Sequence, residues 1–308
     1  MYFIGFDIGG TKCAVSLGQW LGGKMDVVLR SEVPTLSSPY ATFDALAPFI
    51  ERVLCEYKVE GAGISCGGPL DTEAGVIVST PNLPSDWHGF NIVEYIRERF
   101  GITAGLENDA NACALAEWKF GAGREARNLI FMTFGTGLGA GLILDGRLYS
   151  GTNGNAGEIG HIRLADSGPL GYGKAGSAEG FCSGGGIARL ARLMARDEGI
   201  ALGDSITAKD IFERARGGDE LALRAVKRSA EKFAQVLALL IDLINPEVIA
   251  VGGVFMRNYD MFMPVIRPIL EEECLRDALK VCKVLPAMIG ENIGDLGALA
   301  IAISGVKK

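Results

Sequence analysis

Two stretches of the chain share one pattern, in which a run of apolar residues, a cluster of glycines and a second apolar run follow each other. The first stretch covers residues 2–18 and the second covers residues 129–144. Short apolar runs bounded by glycine are typical of β-strands joined by a tight turn. The pattern therefore predicts a strand, glycine turn and strand unit that occurs twice, as in two similar α/β lobes.

The segments around these units predict helices in alternation with buried strands. Apolar residues return every three or four positions over residues 40–57 and 220–243, as on one face of a helix. Residues 109–120 also predict a helix, because alanines are good helix formers and Asn108 or Asp109 can cap its start. Further strands are predicted at residues 61–65, 102–106 and 248–251. The order is α/β throughout.

Composition and charge narrow the class of protein. A chain of 308 residues with 48% hydrophobic residues can bury a sizeable core, and its length favours two domains over one. The net charge of -7 argues against non-specific nucleic-acid binding. The first strand reaches a charge at Asp7, too early for a signal peptide, and no apolar run is long enough to span a bilayer. We expect a cytoplasmic protein without nucleic-acid or membrane partners.

The seven cysteines are scattered and form no C-x-x-C pair. Most of them stand in apolar stretches, which is typical of buried free thiols. This interpretation is favoured over disulfides or a thiolate metal site.

The first glycine turn carries groups suited to phosphate. Gly9 and Gly10 expose backbone N–H groups, and Thr11 and Lys12 add a hydroxyl and an amine. Asp7, at the end of the preceding strand, could hold hydrated Mg²⁺. Taken alone, the segment is equally well explained as an ordinary β-hairpin. Both glycine turns lead into a strand, which excludes a P-loop and a Rossmann motif.

Four motifs occur together in one order: the first turn, the Glu-Asn-Asp-Ala-Asn-Ala block at 107–112, the second glycine turn at 135–141, and Gly-Glu-Ile-Gly-His at 157–161. The combination resembles the ROK family (repressors, open reading frames, kinases) over essentially the whole chain. It implies an α/β, two-lobed actin/hexokinase-like ATPase fold, built from duplicated RNase H-like domains with a cleft between the lobes. We expect a smaller lobe from residues 1–118 plus 292–308 and a larger one from 119–291.

The resemblance also implies an activity, the ATP-dependent and Mg²⁺-dependent phosphorylation of a free hexose. Asp109 would be the general base that accepts the proton of the attacking hydroxyl. The sugar would be bound by Gly68, Asn82, Asn108, Asp109, Glu158, His161 and Glu179. ATP would be bound by Asp7, Gly9, Gly10, Thr11, Lys12, Gly135, Thr136, Gly137, Gly252 and Gly253, with Asp7 also holding Mg²⁺ through water.

One segment departs from the family's pattern. Family members commonly carry three cysteines between the Gly-His block and Glu179, and these bind a structural zinc together with the histidine. Here Leu170, Tyr172 and Ser177 stand at the three cysteine positions. Four-ligand zinc sites need such side chains, so we expect no structural zinc. His161 would then serve the sugar alone, and Glu179 would be positioned by packing or hydrogen bonds.

The substrate stays open at this point. The 6-hydroxyl of glucose is the first choice, while N-acetylmannosamine, N-acetylglucosamine, mannose, fructose and β-glucosides are alternatives. Polyphosphate could replace ATP as donor. A non-catalytic sugar-binding regulator is a further alternative. Family repressors carry a DNA-binding domain before the first glycine turn, and with Asp7 as the seventh residue we expect none here. Related kinases are commonly dimers, so we expect a homodimer.

Overall fold

The computed structural model describes residues 1–305, in which strands and helices alternate as the sequence predicts. Numbered in chain order, the strands are β1 (Tyr2–Ile8), β2 (Lys12–Leu21), β3 (Lys24–Pro34), β4 (Val59–Cys66), β5 (Leu70–Asp71), β6 (Val76–Ile77), β7 (Phe90–Asn91), β8 (Ala104–Asn108), β9 (Leu129–Phe134), β10 (Leu138–Leu144), β11 (Arg147–Tyr149), β12 (Leu170–Gly171), β13 (Lys174–Ala175), β14 (Val248–Val251) and β15 (Lys283–Pro286). The α-helices are α1 (Pro39–Glu56), α2 (Ile92–Phe100), α3 (Asp109–Phe120), α4 (Ala178–Phe181), α5 (Gly184–Asp197), α6 (Ala208–Arg216), α7 (Glu220–Ile244), α8 (Val254–Arg257), α9 (Tyr259–Glu273), α10 (Arg276–Val281) and α11 (Ile293–Gly305). Short 3₁₀ turns lie at Ser85–Trp87, Ile159–His161 and Gly290–Asn292.

The chain forms two units. Unit 1 contains Met1–Arg124, Ser150–Gly154 and the described part of Met288–Lys308. Unit 2 contains Glu125–Tyr149 and Asn155–Ala287. Positions 306–308 of the smaller lobe that we predicted lie outside the described residues.

The first and last passages between the units differ by a few residues from the predicted boundaries at 118/119 and 291/292. Residues 150–154, which the prediction included in the larger lobe, belong to unit 1. Helix α3 runs on to Phe120, so a boundary at 118/119 would cut through it. The backbone N–H groups of Met288 and Ile289 each donate to Glu117 Oε1 at 2.9 Å, which ties both residues to unit 1. Local sequence carries no sign of these two hydrogen bonds, because they join positions far apart in the chain.

The main sheet of unit 1 brings several predicted site residues to one edge. Its strand order is β3-β2-β1-β4-β8, with β1, β4 and β8 parallel and β2 antiparallel to β1. Asp7 pairs with Ser65, and Cys66 pairs with Asn108. The carboxyl ends of three parallel strands therefore meet at one edge, where Asp7 and Asn108 both lie.

The main sheet of unit 2 repeats this plan in the order β11-β10-β9-β14-β15. Strand β10 is antiparallel to β9, while β14 is parallel to β9 and to β15. The repetition confirms the duplication that the two glycine turns predicted. Because Val251 pairs with Met132, the segments that follow β9 and β14 emerge at the same edge. These segments begin with Gly135 and Gly252.

Packing of both units follows the apolar patterns of the sequence. Phe6, Phe43 and Leu106 are buried in the core of unit 1, and Phe134 and Phe233 in that of unit 2, where their ring centroids lie 5.0 Å apart. All seven cysteines are free thiols, and four of them are buried. In the part of the chain that the structure describes, no helix is both long and apolar enough to span a membrane.

Candidate active site

The first glycine turn is braced from two sides within unit 1. Thr35 Oγ1 donates to the Gly9 carbonyl, and the Thr35 N–H donates to the Thr11 carbonyl at 3.0 Å. A Cβ on Gly10 would lie 2.2 Å from the backbone oxygen of Asn82. The backbone of the turn therefore lies directly against Asn82, and only glycine permits that approach. Gly10 and Thr11 remain exposed.

Lys12 pairs with a carboxylate on the exposed surface of the sheet. Its Nζ donates to Glu32 Oε2 at 3.0 Å, in an exposed ion pair on the sheet surface. Arg30 donates to the same carboxylate at 2.7 Å and, through Nε, to Asp295 Oδ2 at 2.8 Å. Sequence reasoning missed Arg30, because its contact with Asp295 joins positions 265 residues apart.

Asp7 lies in a crowded, negatively charged environment. A Cβ on Gly294 would stand 2.3 Å from Asp7 Oδ2, so the carboxylate lies against the start of α11. Burial raises the pKa of Asp7 to about 6, and repulsion from Asp295 and Asp109 adds to the effect, while Arg30 opposes it. A cation bound beside Asp7 would relieve this repulsion.

Asp295 itself is buried, with 8% of its surface exposed, and its Oδ1 has no hydrogen-bond partner among the described residues. A buried carboxylate oxygen without a partner is costly. This oxygen is a further acceptor close to Asp7.

The block that contains Asp109 is held by its own side chains. Of the two caps that the sequence left open, Asn108 is the one found: its Oδ1 accepts from the Ala110 N–H at 2.9 Å. Asp109 Oδ1 accepts from the same N–H at 2.8 Å. Glu107 Oε1 accepts from Asn108 N and from Asn111 Nδ2, both at 3.0 Å. Asp109 is thus an exposed carboxylate at the start of α3, where the helix dipole favours negative charge.

Gly68 lies beside this block. A Cβ on Gly68 would lie 3.3 Å from Asn108 Nδ2, so glycine leaves room for the amide. Cys66, at the end of β4, is buried nearby, and burial together with the charge of Asp109 raises the pKa of its thiol. Unit 1 therefore brings together Asp7, the first glycine turn, Gly68, Asn82, Asn108 and Asp109.

The second glycine turn packs against two other glycine segments of unit 2. Gly135 donates to the Gly137 carbonyl at 3.0 Å and accepts from the Gly184 N–H at 2.8 Å. A Cβ on Gly253, which has φ +67°, would lie 2.2 Å from the Phe134 carbonyl oxygen. Thr136 is exposed and Gly252 is buried.

Sequence reasoning missed the start of α5 as a neighbour of this turn. Ser183 caps the helix by accepting from the Gly186 N–H at 2.9 Å. A serine followed by three glycines is a detectable N-terminal signal. Its packing against Gly135 depends on the tertiary fold.

Glu158 precedes a 3₁₀ turn that ends at His161, and each of the two residues is held by a residue of the β12–β13 hairpin. The Tyr172 hydroxyl donates to Glu158 Oε2 at 3.0 Å. Lys174 Nζ donates to the His161 carbonyl at 2.8 Å and lies 2.9 Å from His161 Nδ1. The sequence did not single out Lys174, which carries no motif of its own.

Glu179 is positioned by hydrogen bonds. Its Oε2 accepts from the Leu138 N–H and its Oε1 from the Tyr172 N–H, each at 3.2 Å. A Cβ on Gly137 would lie 2.6 Å from Glu179 Oε2, so the carboxylate closes directly over the second glycine turn. Glu179 therefore links this turn to the hairpin.

The three positions aligned with cysteines have separate environments. Leu170 is exposed, Tyr172 has φ +52°, and Ser177 is fully buried. Ser177 Oγ donates to the Gly171 carbonyl at 3.0 Å and accepts from the Gly180 N–H at 3.1 Å. Within residues 1–305, no three His, Cys, Asp or Glu side chains are grouped as a metal site would require.

Comparison with known proteins gives a consistent result over the whole chain. A glucokinase of Streptomyces coelicolor is 33% identical over 311 residues, which cover 97% of this chain and 96% of that protein. An N-acetyl-D-glucosamine kinase of Vibrio vulnificus is 30% identical over 318 residues, covering 99% and 100%. A ROK family glucokinase from Streptomyces griseus, solved in complex with glucose and AMPPNP, superimposes with a TM-score of 0.76 at 31% identity, covering 99% of this chain and all of that one.

The ROK family profile matches residues 3–304. The chain therefore belongs to the ROK family and has the actin/hexokinase-like ATPase fold, in agreement with its two five-stranded sheets and its glycine turns.

Proposed function

We propose that this chain, an ATP-dependent sugar kinase, transfers the γ-phosphoryl group of ATP to the 6-hydroxyl of a free hexose, with glucose as the preferred acceptor. The observation that carries the proposal is Asp109. It is an exposed carboxylate held at the start of α3, at the same sheet edge as Asp7 and the first glycine turn. The complex of the Streptomyces griseus glucokinase with glucose and AMPPNP supports both substrates.

Asp109 is the general base of this proposal. The sugar hydroxyl oxygen attacks the γ-phosphorus, the bond from phosphorus to the oxygen of the departing ADP breaks, and the hydroxyl proton passes to Asp109. The N–H of Ala110 holds the carboxylate in place. A rigid base suits phosphoryl transfer, because this reaction depends mainly on positioning and charge neutralisation.

The two glycine turns are proposed to bind the triphosphate of ATP. Their backbone N–H groups are suited to phosphate oxygens. In the first turn, Gly10 and Thr11 are exposed. In the second, a Cβ on Gly135 would meet no atom within 4 Å, so a ligand can approach the Gly135 backbone closely. Lys12, paired with Glu32, would first have to leave that partner.

Magnesium fits the chemistry around Asp7. The pKa of Asp7 is raised by burial and by two neighbouring carboxylates, and bound Mg²⁺ would offset that repulsion. Mg²⁺ needs only one or two protein carboxylates and keeps several waters, so Asp7 would hold it through water. When bound, the ion neutralises charge on the phosphates. We propose no structural zinc.

The sugar-binding set is proposed as Gly68, Asn82, Asn108, Asp109, Glu158, His161 and Glu179. Amides, carboxylates and an imidazole suit a polyol, because each hydroxyl both donates and accepts a hydrogen bond. The remaining ATP contacts are assigned to Thr136, Gly137, Gly252 and Gly253. We further propose that the protein is cytoplasmic and forms a homodimer. Light scattering of the purified protein would test the dimer.

Substrate choice is testable with one assay. ADP release, coupled to an optical signal, is measured with glucose, mannose, fructose, N-acetylmannosamine, N-acetylglucosamine and a β-glucoside. Polyphosphate is tested as donor in place of ATP by following the phosphorylated sugar directly. The highest kcat/KM is expected with glucose and ATP. A higher value for an N-acetylated sugar would reassign the acceptor. Calorimetric sugar binding without turnover of any panel member would identify a regulator instead.

A further inference from the structure

The hairpin β12–β13 contacts two residues of the proposed sugar-binding set. Tyr172 lies in its turn and Lys174 on its second strand. The Tyr172 hydroxyl donates to Glu158 Oε2 at 3.0 Å, and Lys174 Nζ reaches both the carbonyl and Nδ1 of His161 at 2.8 and 2.9 Å. The rings of Tyr172 and His161 also meet edge to face, with centroids 5.5 Å apart. One hairpin thus contacts both side chains.

This hairpin is itself anchored on both of its strands. The Tyr172 N–H donates to Glu179, and the Gly171 carbonyl accepts from buried Ser177 at 3.0 Å. On the second strand, Arg163 donates to the Ala175 carbonyl at 3.2 Å. A Cβ on Gly171 would lie 2.4 Å from the Gly180 N atom, so the hairpin packs directly on helix α4. Tyr172 and Lys174 therefore project from a fixed support.

The contact with Lys174 determines the protonation pattern of the imidazole. An ammonium group has three donors and no acceptor. A ring nitrogen 2.9 Å from Lys174 Nζ must therefore accept, so His161 Nδ1 carries no proton. In a neutral imidazole the single proton then resides on Nε2, which becomes a hydrogen-bond donor. The contact of Lys174 with Nδ1 therefore assigns the tautomer of His161.

Glu158 receives the complementary role. Its carboxylate can only accept, and Tyr172 occupies one site on Oε2. The other lone pairs can accept from a sugar hydroxyl. Glu158 and His161 then form an acceptor and a donor three residues apart.

We propose that Tyr172 and Lys174 are positioning residues that hold Glu158 as an acceptor and His161 as an Nε2–H donor, so that the pair recognises two sugar hydroxyls of opposite hydrogen-bonding sense. The inference rests on the proposed function, because it assigns Glu158 and His161 to the sugar. It adds two residues that support sugar specificity through hydrogen bonds. They lie in the segment where Leu170, Tyr172 and Ser177 stand at the family's cysteine positions.

The tautomer is directly measurable, because the chain contains only two histidines, His88 and His161. Full-length protein with nitrogen-15-labelled histidine is examined by long-range proton–nitrogen correlation at about pH 8, where histidine is ordinarily neutral. The variant His88→Gln assigns the signals. Wild-type His161 is expected as the Nε2–H tautomer. Lys174→Met should give a mixture of tautomers, and Lys174→Arg, which keeps a donor, should restore the wild-type pattern.

Lys227→Met is the matched control, since Lys227 is an exposed lysine on α7 of the same unit. Its spectrum should equal that of the wild type. A wild-type His161 protonated on Nδ1, or a tautomer unchanged in Lys174→Met, would overturn the inference.

Kinetics provide the second test. Tyr172→Phe and Lys174→Met should each raise the KM for sugar about tenfold, the loss expected for one hydrogen bond to a charged group, with less than about a twofold change for ATP. A shifted tautomer with an unchanged KM for sugar would overturn the positioning role. The NMR measurement needs no turnover, so it tests the tautomer independently of activity. A wild-type protein that phosphorylates no sugar would contradict the proposed function but would leave the tautomer assignment untouched.

Discussion

Arg30 Nε donates to Asp295 Oδ2 at 2.8 Å, although the two residues are 265 positions apart. Arg30 lies on β3 and Asp295 in the first turn of α11, so the pair joins the edge strand of the sheet to the last helix of unit 1. Asp295 is largely buried, while Arg30 is partly exposed. The guanidinium thus compensates a carboxylate that also repels Asp7.

Replacing Arg30 should therefore destabilise unit 1. Arg30→Gln leaves the buried Asp295 carboxylate without its cation and should lower the free energy of unfolding by about 2 kcal/mol, as measured in urea. Lys12→Gln breaks only the exposed pair with Glu32 and should cost less than about 0.5 kcal/mol. Equal losses for the two variants would show that the Arg30–Asp295 contact adds nothing.

Replacing the proposed base should abolish turnover while binding persists. Asp109→Asn keeps the size and capping capacity of the side chain but cannot take a proton, so kcat should fall by about 10³-fold or more. Sugar affinity, measured calorimetrically, should weaken far less. Asp219→Asn is the matched control, because Asp219 caps α7 by accepting from the Ala222 N–H. Retention of more than about a tenth of wild-type kcat would remove Asp109 from this role.

The raised pKa of Asp7 predicts a pH-dependent stability. The pKa is about 6 in the folded protein against an ordinary value of 3.8, so the ionised carboxylate destabilises the fold. This cost is absent below about pH 4, grows between about pH 4 and 6, and is complete above. In magnesium-free buffer at about pH 7.5, Asp7→Asn should be more stable by about 2 kcal/mol, after a discount for solvent screening.

Urea unfolding at about pH 7.5 and at about pH 4 separates this effect from packing. The two proteins should become equally stable at the acidic pH. A stability difference that grows as the pH falls would contradict the prediction. The same substitution should also lower kinase activity, because Asp7 is proposed to hold Mg²⁺ through water.

Gly135, in the second glycine turn, allows a test of whether ATP binds against the backbone of that turn. A Cβ on Gly135 would meet no atom within 4 Å, so Gly135→Ala should fold normally yet obstruct a phosphate at the backbone. We expect a KM for ATP raised about tenfold, with the KM for sugar nearly unchanged. Gly203→Ala, at another position of unit 2 with open space, should leave both constants unchanged. Equal effects of Gly135→Ala on ATP and sugar would point to a general structural change.

By contrast, Gly10→Ala should destabilise the protein, because its Cβ would collide with the backbone oxygen of Asn82. A change in the KM for ATP of this variant would therefore combine lost ATP contacts with displacement of the loop that carries Asn82. A lowered melting temperature for Gly10→Ala, beside an unchanged one for Gly135→Ala, is the expected result.

Metal content provides a further prediction. With Leu170, Tyr172 and Ser177 in place of thiolates, purified protein should contain no stoichiometric zinc, and activity should survive a zinc-selective chelator but require Mg²⁺. Elemental analysis paired with the coupled assay measures both. Activity lost to the chelator and restored by zinc alone would show that Leu170, Tyr172 and Ser177 were wrongly placed at the family's cysteine positions.

The sequence alone determined the features that depend on near neighbours. The repeated strand, glycine turn and strand units and the helix at Asp109–Phe120 follow from periodicity and capping, which act within a few residues. The sequence narrowed the cap of this helix to Asn108 or Asp109, and the structure shows that it is Asn108. The family resemblance added the proposed roles of Asp109, Glu158 and His161, since four ordered motifs are specific even when each one is weak.

Only the tertiary structure decided which distant groups meet. Gly10 against Asn82, Arg30 with Asp295, and Lys174 with His161 each depend on strand register or on the seating of a loop. Residues 150–154 belong to unit 1 although they lie inside the predicted larger lobe. The last passage between the units fell at Met288, whose N–H donates to Glu117 of unit 1. Such contacts leave no periodic trace in the chain, because a hydrogen bond constrains two positions in space and not the residues between them.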